Sequence, residues 1–128
     1  MYRRWSEYQG APNKFRRNTA YATINEKGVI LMNNIAFESF GAPEAVTLQY
    51  DKANGVIGLK PAEPDAPNSF PLRPKDKQRN RTLHCKPFLR HYGIETDRTL
   101  SFNTVVPDSE GVLILDLNFL TSVARKPA

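Results

Sequence analysis

Cysteine is all but missing from this chain, with Cys85 alone among 128 residues. A single thiol excludes an intramolecular disulfide and fits a reducing compartment. Histidine is nearly as scarce, with His84 and His91 only. Structural zinc takes four nitrogen or sulfur ligands in paired clusters, and no second pair is present. His84 and Cys85 are neighbours on an expected strand, so they point to opposite faces and do not readily share one ion. Cys85 therefore reads as a buried core thiol, and no metal or other cofactor is expected. Long apolar runs are absent as well: the longest are four or five residues, against the roughly twenty that span a bilayer. The opening stretch MYRRWSEYQG has no apolar segment of the secretory kind, so a cytoplasmic protein that does not enter the membrane is the expectation. Catalytic signatures are also lacking. No Ser or Cys stands in a nucleophile motif, the acids are scattered singly without the pairing of general acid–base sites, and no phosphate-cradling glycine loop is visible.

What remains fits one soluble domain, with 40% hydrophobic and 24% charged residues and a length sufficient to bury a real core. The net charge of +5 conceals a sharper asymmetry. Residues 1–17 and 73–90 hold twelve of the eighteen Lys and Arg and only two acids, a net +10 against −5 for the rest. Clustered cations focus potential on a polyanion, although a solvated basic face without a partner carries the same signature.

The chain also uses one pattern twice. Residues 36–59 are echoed by residues 87–115. Phe37 answers to Phe88, and Gly41 to Gly93 after one inserted residue. Thr47, Leu48 and Tyr50 answer to Thr99, Leu100 and Phe102, and Gly55 to Leu59 answer to Gly111 to Leu115. Each copy reads as a short helix, a glycine stop, a strand, a polar turn and a returning strand. Two copies at a period near fifty residues make a pseudo-symmetric pair, not a solenoid.

Taken in order, residues 1–20 form a basic and aromatic arm, in which Arg16 and Arg17 lie beside Phe15; cations and rings together suit nucleic acid. A single domain of two repeats, 21–60 and 70–117, follows, and a tail occupies 118–128. Residues 21–32 read as strand, turn and strand. Asn33 or Asn34 caps a short helix with Phe37 and Phe40 on its apolar face, and Gly41 ends it. Val46, Leu48 and Tyr50 alternate with polar residues as in a half-buried strand, and Asn54-Gly55 marks a hairpin. Residues 61–74 contain five prolines and read as an extended, semi-rigid connector. In the second copy a charged loop holds Arg73, Lys75, Lys77, Arg79 and Arg81. Pro87 suits a helix first turn, residues 99–106 read as a strand, and residues 112–117 read as a central one. Phe37, Phe40, Phe88 and Tyr92 are expected in the core.

The order strand, NEKG turn, strand, short helix, glycine, strand, hairpin and strand resembles the AbrB/MraZ group of swapped-hairpin proteins. The resemblance is carried by Ile24 to Ile30, by Phe37, Phe40 and Gly41, and by Val46 to Asp51 with Gly55 and Leu59. It implies a mainly β fold with short helices, in which two β-β-α-β-β units interlock in one small barrel, here in tandem within one chain. It also implies contact with duplex DNA through basic residues of the first hairpins. Lys27 occupies the basic position before the motif glycine, whereas Val29 stands where an arginine is common.

The expected function is accordingly a DNA-binding, transcriptional-regulator-like module. The expected contacts are Lys27, Arg73, Lys75, Lys77, Arg79 and Arg81, with Arg16 and Arg17 from the arm, and the two hairpin loops are expected to share one face. A protein-interaction or structural module on the same barrel, and an enzyme without a sequence signature, are the alternatives. A homo-oligomer stays open.

Overall fold

The structure, a computed structural model, describes residues 19–75, 77 and 79–120. Its first strands, β1 (Ala22–Ile24) and β2 (Val29–Met32), form a tight hairpin. Asn25 closes the turn: its Oδ1 accepts from Lys27 N at 2.9 Å and Val29 N at 3.0 Å. Helix α1 (Asn34–Ser39) follows, then β3 (Ala45–Asp51) and β4 (Val56–Ala62), a hairpin paired along its full length. The second half contains β5 (Phe70–Pro71), β6 (Arg73–Pro74), β7 (Arg81–His84), α2 (Lys86–His91), β8 (Leu100–Phe102) and β9 (Leu113–Asp116), with a 3-10 turn at Leu117–Phe119.

These strands build two antiparallel sheets, a five-stranded one in the order β6-β7-β2-β1-β8 and a four-stranded one in the order β5-β3-β4-β9. Each sheet takes strands from both halves of the chain. The core lies between them: Ile24, Ile30, Met32 and Leu83 come from the first sheet, Val46, Ile57, Leu59, Leu113 and Leu115 from the second, and Ala36, Phe37 and Leu89 from the helices. Among the described residues no helix is long and apolar enough to cross a membrane.

The repeat expected from sequence is matched only in part: the helices and strands β2 and β7 agree, whereas β8 and β9 lie in different sheets and do not pair as β3 and β4 do. The two helices are offset by 52 residues, and two of the hydrogen bonds that close them correspond. Ala42 N donates to Phe37 O at 3.0 Å and Ile94 N to Leu89 O at 2.9 Å, while Gly41 and Gly93 donate to Glu38 O and Arg90 O, each at 3.2 Å. The same offset carries β2 onto β7, which pair with each other through all four residues. In the other sheet Ile57 and Leu59 pair with Leu115 and Leu113, and all four are fully buried.

Phe37 therefore answers to Leu89, which is 1% exposed, and not to Phe88, which is only partly buried. No residue is inserted inside the second helix; the chance echo of Phe88 with Phe37 shifts its phase by one. Asn33, not Asn34, is the cap of α1. Its Oδ1 accepts from Ala36 N and Tyr21 N at 3.0 and 3.1 Å, and its Nδ2 donates to Thr19 O at 2.7 Å. One buried amide thus satisfies the helix end and ties it to the start of the domain.

Three further expectations change. The strand over residues 99–106 breaks after Phe102, so β8 joins the first sheet while residues 106–107 run beside β9, with Ile114 N donating to Val106 O and a bridge between Pro107 and Leu113. Strand β9 lies at the end of its sheet, not in the middle. Tyr92 is 43% exposed, outside the core. The connector behaves as its prolines require: Phe70–Pro71 joins one sheet and Arg73–Pro74 the other, pivoting on buried Leu72.

Cys85 is fully buried, and desolvation pushes its thiol up from 9.0 to about 12. The folded chain holds the thiol neutral where an unfolded chain ionises it. The stability this contributes is complete below about pH 9 and declines as pH rises toward about 12, by up to about 1.4 kcal/mol per unit. Urea titrations between about pH 8 and about pH 10.5 should show a steeper alkaline loss in the wild type than in Cys85→Ala. Parallel losses would mean that other groups, not this thiol, set the alkaline limit.

Candidate nucleic-acid interface

The charged loop between β6 and β7 is closed by its own backbone, with Lys75 N donating to Asn80 O at 2.9 Å. Arg73, Lys75, Lys77 and Arg79 are all exposed. They gather at one corner of the five-stranded sheet, because β6 is its edge strand. Arg79 has φ 69, in the left-handed region, which bends the tip back on itself. Its Nη2 lies 3.7 Å from Glu38 Oε2, and both side chains are more than half exposed. Such a surface pair contributes under about 1 kcal/mol, so Arg79 stays available to an anionic partner.

Arg81 is committed elsewhere. Its guanidinium carbon lies 4.2 Å from the centre of the Phe37 ring. Its Nη1 donates to Arg79 O at 2.7 Å and to Asn80 O at 3.3 Å. The planar cation covers an aromatic face while holding the base of the loop together. Arg81 is thus a brace for the other cations, half-buried against α1.

Lys27 is exposed at the tip of the first hairpin, and it does not join that corner. Strands β2 and β7 are antiparallel, with Val29 opposite His84 and Met32 opposite Arg81. The two tips therefore leave from opposite ends of the shared ladder, about 10 Å of strand apart before either turn is counted. The expectation of one shared face assumes that pseudo-symmetry places equivalent loops together. Two-fold related, adjacent antiparallel strands place their loops apart.

The first tip has other neighbours. Gly28 has φ 80, and a Cβ there would stand 2.8 Å from Lys86 Cα, so only glycine admits this contact with α2. Cys85 N donates to Gly28 O at 2.9 Å, and Lys86 Nζ donates to Glu26 O at 3.2 Å. Lys27 accordingly shares its end of the sheet with Lys86 and exposed His84. Sequence reasoning places those two within the basic stretch 73–90 without giving them a site, since the pairing of β2 with β7 is what brings them to Lys27. Val29, at the position where an arginine is common in the resembled group, is half-buried and faces His84 across the ladder.

Arg16 and Arg17 lie outside the described residues. Among the described residues no group of three His, Cys, Asp or Glu is placed to hold a metal ion. No family model, curated protein or solved structure matches the chain.

Proposed function

We propose that the chain is a tandem swapped-hairpin module, its two sheets closing as one small barrel, that binds duplex DNA through the sugar–phosphate backbone. The observation that carries this reading is the corner formed by Arg73, Lys75, Lys77 and Arg79. Four exposed cations stand on one loop and its adjoining edge strand, and only Arg79 has an ion-pairing acid, Glu38, among the described residues. A second basic group, Lys27 with Lys86 and His84, stands at the far end of the same sheet. Two cationic ends separated by a sheet suit two phosphate rows better than one. Positioning without base reading is the expected mode, because Val29 has no hydrogen-bonding group to offer a base edge and is half-buried.

The test is the affinity of the full chain for a mixed-sequence duplex, measured over a range of salt. Binding at about 50 mM salt that weakens steeply as salt rises is the expected result. A chain that fails to bind under those conditions is not a DNA-binding module.

A further inference from the structure

The tip of the hairpin between β3 and β4 carries Asn54 followed by Gly55, and the far end of the described chain is fastened onto it. Asn118 Nδ2 donates to Asn54 O at 2.7 Å, and Leu117 N donates to Gly55 O at 2.9 Å. Asp116 Oδ1 aims this clamp, accepting from Asn118 N at 2.9 Å and from Asn118 Nδ2 at 3.0 Å. Gly55 has φ 68, and a Cβ there would stand 3.3 Å from Asn118 Nδ2, so turn and clamp both favour glycine.

An asparagine before glycine is chemically labile, because glycine, lacking Cβ, lets its nitrogen approach the preceding side chain. That nitrogen attacks Cγ and closes a cyclic imide. Here both partners in the reaction are restrained. Gly55 N donates to Asp51 O at 2.8 Å. Asn54 Nδ2 donates to Asp51 Oδ2 at 2.7 Å, and Asn54 N to Asp51 Oδ1 at 3.1 Å. Burial contributes little to this restraint, since Asn54 is exposed together with Asp51, Lys52 and Ala53. The hydrogen bonds supply it, and exposed turns of this kind open locally at a small fraction of the global unfolding free energy. The same contacts keep Asp51 ionised: the side-chain bond from Asn54 is the main reason its carboxyl titrates below the ordinary value.

We infer that Asn54 is a site of spontaneous deamidation, that the clamp from Asn118 sets its rate, and that the product unfastens the 3-10 turn from the hairpin. In the reaction Gly55 N gives its proton to hydroxide and bonds to Asn54 Cγ. The Cγ–Nδ2 bond then breaks, and Nδ2 leaves as ammonia with a proton taken from water, which restores the hydroxide. Water adds to one or other imide carbonyl and reopens the ring, leaving aspartate or isoaspartate at position 54. Water is the co-reactant, and nothing is oxidised or reduced. Aspartate puts a carboxylate where the amide donor stood, against the ionised Asp51, and like charges at that separation repel. Isoaspartate reroutes the main chain through Cγ, so the carbonyl that Asn118 holds becomes a free carboxylate. Either product adds negative charge to the turn and breaks its present pairing. The inference does not depend on DNA binding, since this tip carries none of the proposed contacts.

The test incubates the full chain at mildly alkaline pH, folded and in urea, and follows each asparagine by peptide mass spectrometry. Asn54 should convert first in urea and more slowly in the folded wild type. Asn118→Ala, a change at an exposed side chain, should speed the folded reaction about fivefold or more, the factor by which losing one hydrogen bond raises the open population. Asn68, exposed on another loop and followed by Ser69, should keep its rate in that variant. Hydrogen exchange of the Leu117 amide should quicken by a similar factor, about fivefold, in Asn54→Asp. Equal Asn54 rates in folded wild type and Asn118→Ala, or an Asn54 that stays intact even in urea, would overturn the inference. Equal acceleration of Asn68 would assign the effect to general unfolding and overturn the role of the clamp. Unchanged Leu117 exchange in Asn54→Asp would overturn the unfastening.

Discussion

Replacing Leu89 with alanine should cost the protein roughly 2–5 kcal/mol, and replacing Phe88 about half of that or less. Phe88 is the larger residue and the better sequence match to Phe37, so intuition ranks them the other way. Burial reverses the order: Leu89 is 1% exposed and belongs to the core, whereas Phe88 lies at its margin under Tyr92. A cavity left at the margin is open to water or to collapse, so its cost is smaller. Phe37→Ala should match or exceed Leu89→Ala, since it also removes the ring beneath Arg81. Urea denaturation of the three variants decides the matter. Equal losses for Leu89→Ala and Phe88→Ala would mean that α2 is rotated from the phase described above.

The second large effect concerns charge. Neutralising Lys75, Lys77 and Arg79 together to glutamine should reduce duplex affinity roughly a thousandfold at about 50 mM salt, and should lower the salt slope by about 0.9 for each phosphate no longer neutralised. All three are exposed, so the melting temperature should move little. Arg81→Gln should do the opposite. It removes the cover on Phe37 and the bonds to Arg79 O and Asn80 O, so it should lower stability by about 1 kcal/mol and leave the slope nearly unchanged. Anisotropy titrations over several salt concentrations, with parallel melts, separate the two roles. An unchanged slope in the triple variant would remove the second loop from any DNA contact.

Much of the fold was legible because its local signals agree with its final structure. Asn25 and Gly28 mark the first turn, Gly41 and Gly93 end the helices, and the alternation of Val46, Leu48 and Tyr50 marks a strand. Each of these depends on a few neighbouring residues. What the sequence left hidden is long-range. Nothing local in residues 99–106 reveals that the strand divides after Phe102, because that break is set by β1 capturing one part and β9 the other. The phase of α2 is hidden for a related reason: a matching Phe attracts the eye, whereas burial is decided by packing. For the interface, the cations themselves were evident, but their separation into two groups follows from the direction of β7 against β2. The role of Arg81 was invisible without the position of Phe37.

The sharing of strands between the halves has a consequence for how the chain acquires its structure. Strand β1 waits for β8, some eighty residues later, and β4 waits for β9, the last of the described strands. Neither sheet is complete while the second half is still unmade. Distant pairings must be closed against chain entropy before they yield contacts, which slows folding relative to a protein built from neighbouring segments. During synthesis the first half would emerge with β2 and β4 exposing edges that only later residues cover, and such edges invite pairing with other chains. The order of emergence from the ribosome thus sets an interval in which this protein is most exposed to misassembly, and it ends only when β9 is free to dock.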